Sequence, residues 1–134
     1  MVSHQYESTV VVVPVFSAAE AAAAVSAGGR FVDPGADDTL ASALRGEGFP
    51  VLDAEISRIA PAEVAGAVAA DLWFLVDVDS GGTPAAAGAI AAVCAWQGAR
   101  LIRTRYVTEV RRCLDMTESI LGIRPPALAI RGLA

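Results

Sequence analysis

The sequence predicts an α/β protein in which five strand–helix units alternate around a parallel sheet. Short β-branched runs that are apolar on both faces recur along the chain, as is typical of strands buried between layers. Alanine-rich segments long enough for helices follow these runs, and glycine or proline separates the segments. Strands and helices that alternate with short connections form parallel sheets with right-handed crossovers.

The first unit begins with Thr9–Phe16, a continuously apolar and β-branched run that predicts a buried strand. Ser17 and Glu20 have the spacing of a capping box, in which each side chain satisfies a free amide at the start of a helix. A glycine pair at positions 28 and 29 ends this helix.

The second and third units also each consist of a predicted strand followed by a predicted helix. Arg30–Asp33 predicts the second strand, and Asp37 or Asp38 predicts the cap of the next helix. Pro50–Ala54 predicts the third strand. Pro61 then stands in the first turn of a third helix, where its missing N–H costs nothing.

The last two units are the most apolar. Leu72–Val78 predicts the fourth strand, and Thr83 followed by proline predicts the start of the fourth helix. Ala99–Arg105 predicts the fifth strand. Thr108 is the expected cap of the fifth helix, and Gly122 is expected just after its end.

We expect one folded α/β domain over residues 9–122, between a flexible N-terminus (1–8) and an extended C-terminal tail (123–134). No apolar run reaches the roughly 20 residues that a membrane-spanning helix needs, and the start of the chain lacks a secretory signal pattern. We therefore expect a cytoplasmic protein without a membrane partner.

Several chemistries are excluded by composition. The net charge of −5 and the lack of a basic patch argue against a nucleic-acid partner. His4 is the sole histidine and lysine is absent, which removes catalytic triads, histidine zinc sites, Schiff bases and Walker A lysines. Cys94 and Cys113 lie in predicted helices and are expected to be buried, reduced thiols. We expect no metal site and no cofactor.

Charged residues collect at the predicted carboxyl ends of the strands, the edge where parallel sheets bind ligands. They are Asp33, Asp53, Asp77, Asp79, Arg103 and Arg105. The arginines would hold an anion, and the carboxylates would accept hydrogen bonds from amino or ring N–H groups. Alternatively, the aspartates cap helices and the arginines pair with them.

Two further residues belong to this candidate edge. Ser80 and Gly81 begin a Ser-Gly-Gly-Thr turn that leads into the fourth helix. Such a turn can cradle a phosphate, because helix N-termini present free N–H groups. Arg103 and Arg105 are two residues apart, so both are expected on the same side of their strand.

Four segments of the chain resemble dihydropteroate synthases. They are AGGRFVDPGADDT (27–39), similar to the second strand and its loop; PVLDAEISRIAPAEVAGAVAA (50–70), similar to the third strand and its helix; LVDVDSGG (75–82), similar to the "NDVSGG" joint; and GARLIRTRYVTEVRRCLDMTESILG (98–122), similar to the last strand with its "R-x-H-D-V" motif.

The resemblance implies both a fold and a site. That family is an eight-stranded barrel that joins p-aminobenzoate to a pterin pyrophosphate and releases pyrophosphate. By position, Asp53 matches the pterin-recognising aspartate and Asp77 the aspartate of the fourth strand. Arg103 matches the arginine that helps hold the leaving pyrophosphate. Asp77 is therefore expected to face Asp53 and Arg103.

The chain departs from the family at positions that matter for chemistry. Val76 replaces an asparagine, Arg105 replaces the histidine of the last strand, and Tyr106 replaces the following aspartate. The first loop of the family and its lysine-containing strand have no counterpart. We therefore expect a reduced, degenerate relative without synthase activity, which keeps a pocket for a pterin or another small anionic ligand.

Five strands ordinarily cannot close a barrel that needs eight. The sheet is expected to form either a truncated TIM-barrel-like arrangement or an open, doubly wound, flavodoxin-like one. Either arrangement leaves apolar surface uncovered, so we expect a homodimer.

Two other functions fit the same sequence. The first is an interaction or regulatory protein that docks on a partner, such as a full-length synthase, through its sheet edge or a helix face. The second is a flavodoxin-like domain for magnesium-dependent phosphoryl transfer, with Asp33, Asp77 and Asp79 around the metal.

Overall fold

A computed structural model describes residues 8–122 of the 134-residue chain. The predicted tail over residues 123–134, and all of the predicted flexible N-terminus except Ser8, lie outside these described residues.

Within residues 8–122, five strands form one open sheet in which every neighbouring pair is parallel, which confirms the predicted α/β class. Their spatial order is β2-β1-β5-β4-β3. The strands are β1 (Val10–Pro14), β2 (Phe31–Asp33), β3 (Ser57–Ile59), β4 (Phe74–Asp77) and β5 (Leu101–Arg103).

A helix follows each strand. The helices are α1 (Ala18–Ser26), α2 (Asp38–Gly46), α3 (Val64–Ala69), α4 (Pro84–Trp96) and α5 (Val107–Leu121). Two 3₁₀ turns, Pro61–Glu63 and Asp79–Gly81, precede α3 and α4. Within the described part of the chain, no helix is both long and apolar enough to cross a membrane.

The prediction of the third strand at Pro50–Ala54 is wrong. Only Val51 pairs there, through a single parallel bridge to Val32. The pairing stops because the Asp53 side chain accepts the Glu55 N–H at 2.9 Å, which turns the chain away from β2. The strand then forms at β3, which pairs with β4 instead.

Side chains cap three helices as the sequence predicts. Ser17, Asp37 and Thr83 each accept the backbone N–H three residues ahead, at 3.2, 2.9 and 3.1 Å. The prediction for α5 is wrong. Its cap is Tyr106, because the Thr104 hydroxyl accepts the Tyr106 N–H at 2.9 Å and fixes the turn two residues before Thr108.

The two faces of the sheet have different partners. Alternate strand residues such as Val11, Val13, Val76 and Ile102 form the main core with apolar side chains of all five helices. The opposite face forms a second cluster without any helix residue: Val12, Leu52, Leu75 and Leu101, with Val10, Phe31 and Ile56 against them. The sheet therefore curls around its own inner face.

This arrangement is the truncated barrel rather than the doubly wound alternative, in which helices cover both faces. In a barrel of sequential strands, β1 lies between β2 and the last strand, as it does here. The order is thus that of a barrel opened between β2 and β3. The Val32–Val51 bridge and the β3 side chains described below partly fill that opening.

The start of β1 is fastened to α5. The buried Glu118 carboxylate accepts the Thr9 N–H at 2.5 Å and the Ser8 hydroxyl at 3.0 Å. Arg111 donates to Glu118 at 3.2 Å and to the Thr9 carbonyl at 2.9 Å. The first and last described elements are therefore joined by a charged, hydrogen-bonded group.

Candidate functional site

A layer of charged side chains closes the carboxyl end of the inner face. Its members, which we call the charge layer, are Asp33, Arg58, Asp77 and Arg103. Each stands two residues after an apolar inner-face residue of the same segment, and side chains two apart on a strand share a face. Strand alternation thus places four charges above an apolar floor.

Arg103 joins the two carboxylates of this layer. Its Nε donates to Asp33 Oδ2 at 2.8 Å, and its Nη1 donates to Asp77 Oδ2 at 2.5 Å. β5 lies between β1 and β4, so the side chain reaches an aspartate on either side. The guanidinium is about one quarter exposed (26%), which leaves part of it facing the solvent.

Arg58 closes the opening between the two edge strands. Its Nη1 and Nη2 donate to the two oxygens of Asp33 at 2.7 and 3.0 Å, a bidentate pair. Because Arg58 is on β3 and Asp33 on β2, side chains connect the edges that the backbone leaves unpaired.

The buried Asp33 carboxylate, 2% exposed, is held ionised by its partners. Burial alone would raise its pKa, but hydrogen bonds from Arg58, Arg103 and the Gly35 N–H outweigh burial and lower the pKa to about 2. The pKa of Arg58 is raised by its bond to Asp33. Burial opposes the charge of Arg103, but Asp33 and Asp77 raise its pKa nonetheless.

A second group lies beside the charge layer. Asp79 accepts the Thr104 hydroxyl at 2.6 Å and the Arg105 N–H at 2.9 Å, which ties the turn after β4 to the loop after β5. The Arg105 side chain approaches Asp79 at 3.7 Å and covers the Tyr106 ring at 5.4 Å. β5 ends at Arg103, so strand alternation does not extend to Arg105, contrary to the sequence prediction.

A cleft of about 790 Å³ opens above these residues at the carboxyl edge. Asp77, Arg103, Asp79 and Arg105 contribute its charged wall. Its apolar and remaining walls are formed by Pro14, Phe16, Glu20, Ile59, Ala60, Pro61 and Ser80. A smaller cavity of about 260 Å³ beneath it is lined by Arg58, Ile59, Leu75, Asp77 and Arg103.

The remaining residues of the predicted site lie outside the charge layer, and some of them make contacts only within their own loop or helix. Asp53 is exposed and lies outside the charge layer, with its side chain on the Glu55 N–H. Ser80 lines the cleft, but Gly81 packs against α4, where an added Cβ would lie 2.5 Å from that of Ala86. Thr83 already caps α4, so its hydroxyl serves the helix.

Sequence reasoning missed Arg58. The residue lies between the predicted third strand, Pro50–Ala54, and Pro61 of the predicted third helix, and the sequence prediction gives it no place in either. The alternation of Ile56 with Arg58 is the available signal, since a strand at Ser57–Ile59 delivers its arginine to the same edge.

The described residues give little support for metal binding or thiol chemistry. No group of three or more His, Cys, Asp or Glu side chains among residues 8–122 is placed to hold a metal ion. Arg103 is paired with Asp33 and Asp77, two of the three carboxylates that the magnesium hypothesis needs. Cys94 and Cys113 are free thiols; Cys94 is buried, and burial raises its pKa to about 11. Cys113 is only partly buried, against expectation.

Comparison with known proteins shows which proteins the chain is similar to. No protein-family profile matches the chain. Over 46 residues it is 48% identical to proteins named "Inactive dihydropteroate synthase 2" from Mycobacterium bovis and Mycobacterium tuberculosis. Part of the chain is homologous to an inactive dihydropteroate synthase. The matched stretch is 34% of this chain but spans only 14% of that relative's length.

A match to a solved structure covers more of the chain than this stretch. The structure of Mycobacterium tuberculosis Rv1207 matches 90% of the chain, and 94% of the other chain, with a TM-score of 0.57. At 20% sequence identity this match shows a shared fold.

Proposed function

We propose that this dihydropteroate synthase-like chain binds a small polar ligand in the cleft above the charge layer and does not catalyse the synthase reaction. The ligand class that we propose is a pterin or another small anion. The observation that carries this proposal is that Asp77 and Arg103 of the charge layer, which are paired with one another, both line an open cleft.

The charges of this floor suit a heterocycle that has both donors and acceptors. Asp77 is only half-buried, so its carboxylate can accept amino or ring N–H groups, as a pterin provides. Arg105 also lines the cleft, is largely exposed and can donate to carbonyl or carboxylate oxygens. Phe16 is exposed at the rim, where its ring supplies a surface for stacking.

The same arrangement argues against synthase activity. Arg103 is bound on two sides by Asp33 and Asp77, so a pyrophosphate would have to compete with two carboxylates for it. The sequence offers no lysine to add positive charge. We expect no product when the purified chain is incubated with a pterin pyrophosphate and p-aminobenzoate; turnover above background would contradict this part of the proposal.

Calorimetry with three probes tests the binding proposal. We expect pterin-6-carboxylate to bind, plain pterin to bind more weakly, and pyrophosphate alone to bind least. Asp77→Asn should weaken binding of pterin-6-carboxylate by roughly 10-fold to 100-fold, the effect of losing a charge-assisted hydrogen bond. Arg103→Ala should weaken it similarly, with the fold of each variant checked by circular dichroism.

The matched control is Arg45→Ala, which removes an exposed arginine of α2 that does not line the cleft. It should bind pterin-6-carboxylate like the unchanged chain. If none of the three probes binds the unchanged chain, the cleft is not a site for pterins or small anions.

A partner-binding function is the second candidate. The observation that favours it is an apolar surface on α4 and α5, which bears no charge on α4 and whose residues do not line the cleft. It is compatible with a ligand in the cleft, because the residues of the two surfaces are different.

A further inference from the structure

A second, smaller cavity lies beneath the cleft. We call this space of about 260 Å³ the inner cavity. Ile59, Asp77 and Arg103 line both spaces, so the inner cavity adjoins the cleft, whereas Arg58 and Leu75 line the inner cavity but not the cleft. Its volume corresponds to about eight water molecules in the liquid, which is enough for a small organic molecule.

The inner cavity is bordered by more hydrogen-bond donors than the protein itself uses. A guanidinium group carries five N–H groups. Among the contacts of residues 8–122, Arg58 donates two of them, both to Asp33, and Arg103 donates two, to Asp33 and Asp77. Each arginine therefore keeps three N–H groups for water or a ligand. The two side chains are 41% and 26% exposed, so part of each guanidinium is accessible to such an acceptor.

The carboxylates of the charge layer offer few further acceptors. Asp33 already accepts four hydrogen bonds, from both arginines and from the Gly35 N–H, which is about as many as a carboxylate has room for. Asp77 accepts two, from Arg103 and from the Asp79 N–H. The layer thus has a surplus of donors, and a molecule that fills the inner cavity must bring acceptors of its own.

Charge and shape narrow the choice of acceptor. Two arginines and two aspartates make the layer neutral, so a ligand with one negative charge disturbs this balance less than a dianion such as sulfate. Leu75 and Ile59 give the inner cavity an apolar side, which suits the hydrocarbon part of a small organic acid. The planar pair of oxygens of a carboxylate matches the N–H groups of a guanidinium.

We propose that the inner cavity binds the carboxylate group of a small organic acid, with Arg58 as its anchor and Arg103 as the second donor. This site rests on the proposed function, because it assigns which end of an anionic ligand enters the cleft first. The sequence predicts Asp53 at the end of the third strand, but β3 brings Arg58 to this edge instead. A guanidinium in place of a carboxylate makes room for an anion.

NMR titration of the full chain with isobutyrate tests this assignment. The side-chain Nε–H signals of Arg58 and Arg103 should shift and saturate, whereas that of the exposed Arg45 should not. Isobutyramide, which has nearly the same shape without the charge, should bind at least about 10-fold more weakly, and sulfate should also bind more weakly than isobutyrate. All titrations are made at constant ionic strength, because exposed arginines attract any anion.

Arg58→Lys is the variant that tests the anchor, because lysine keeps a positive charge beside Asp33 but loses the fork of N–H groups. We expect it to weaken isobutyrate binding about 10-fold, the effect of losing one charge-assisted hydrogen bond. Arg45→Lys makes the same change on α2, away from the inner cavity, and should bind isobutyrate like the unchanged chain. If Arg58→Lys does not fold, the titrations of the unchanged chain still decide.

Three results would overturn the assignment: an Arg58 Nε–H signal that does not saturate, sulfate that binds more tightly than isobutyrate, or an Arg58→Lys variant that binds isobutyrate normally. Failure of the pterin proposal gives a different result. If isobutyrate binds and no pterin does, the carboxylate site stands and the pterin proposal fails. If pterin-6-carboxylate binds, isobutyrate does not, and Arg58→Lys changes neither, the ligand lies in the cleft alone and the inner cavity is not a carboxylate site.

Discussion

At the scale of single residues, Asp33 is the centre of the charge layer. It is buried, and both arginines of the layer donate to it. Removing one member of a buried ion pair leaves the other charges unpaired, which usually costs more than the pair contributes. The residue is therefore expected to matter for stability, apart from any role in binding.

Replacement of this carboxylate should destabilise the chain measurably. We expect Asp33→Asn to lower the free energy of unfolding by about 2 kcal/mol or more, because Arg58 and Arg103 lose their shared buried partner. Asp53→Asn is the control: that side chain is exposed and makes one local hydrogen bond, so a loss within about 1 kcal/mol is expected. If urea unfolding gives the same loss of free energy for Asp33→Asn and Asp53→Asn, the charge layer does not stabilise the fold as we expect.

The depressed pKa of Asp33 also gives stability a defined pH dependence. Its folded-state pKa of about 2 lies below the ordinary value of 3.8, so ionised Asp33 stabilises the folded chain above about pH 4. This contribution, about 2 kcal/mol, is lost as the pH falls from 4 towards 2. Urea unfolding measured at a series of pH values should show this decrease in the free energy of unfolding for the unchanged chain. The Asp33→Asn variant should show a smaller decrease between pH 4 and 2, because it has no carboxylate at this position.

The sequence predicted much of this layer at the level of residues. Charged residues after apolar strands identify Asp33, Asp77 and Arg103 as neighbours, because parallel strands end at one edge. The sequence offers pairing of the arginines with the aspartates as an alternative to ligand binding. It does not predict which residues pair, because that depends on the order of the strands. Asp53 illustrates this limit: it follows an apolar run like the others, but its own Asx turn ends the pairing there and turns it outward.

At the scale of elements, the buried Glu118 fastens α5 to the start of β1. It accepts hydrogen bonds from the Thr9 N–H, the Ser8 hydroxyl and Arg111. We expect Glu118→Gln to lower the free energy of unfolding by about 2 kcal/mol. The change removes one of the two carboxylates that pair with Arg111, the other being Asp115, and it weakens three buried hydrogen bonds.

Glu109→Gln is the control for this prediction, since it makes the same change at an exposed position of the same helix. Thermal or urea unfolding of both variants provides the measurement. If the two substitutions have the same effect, the junction between Glu118 and β1 does not hold α5 in place.

Helices were easier to predict than strands for a physical reason. A helix is specified locally by its caps, and Ser17, Asp37 and Thr83 each act at the predicted position. A strand is specified by its neighbours, so the apolar segment at residues 50–52 makes one bridge, whereas the polar Ser57–Ile59 forms the full pairing with β4.

At the scale of the whole molecule, the five strands keep the order of an opened barrel. The inner face is filled by apolar side chains below and by the charge layer above. The ion pair between Arg58 and Asp33 spans the opening between the edge strands. The alternation of strands and helices predicted the parallel sheet. The choice between a curled and a doubly wound sheet needed the strand order, which no local pattern contains.

The central claim is that the cleft above the charge layer is the place where a small ligand binds. An amide NMR titration of the full chain with pterin-6-carboxylate tests it directly, because the N–H groups of Gly35, Asp79 and Arg105 donate to carboxylates of the carboxyl edge. The Glu55 amide, which donates to Asp53, reports whether that predicted residue takes part.

We predict saturable shifts at Asp79 and Arg105, with smaller ones at Gly35, and none at the amides around Trp96 at the end of α4. A titration in which the amides of the carboxyl edge stay unchanged, or in which only the amides around Trp96 respond, would contradict the account.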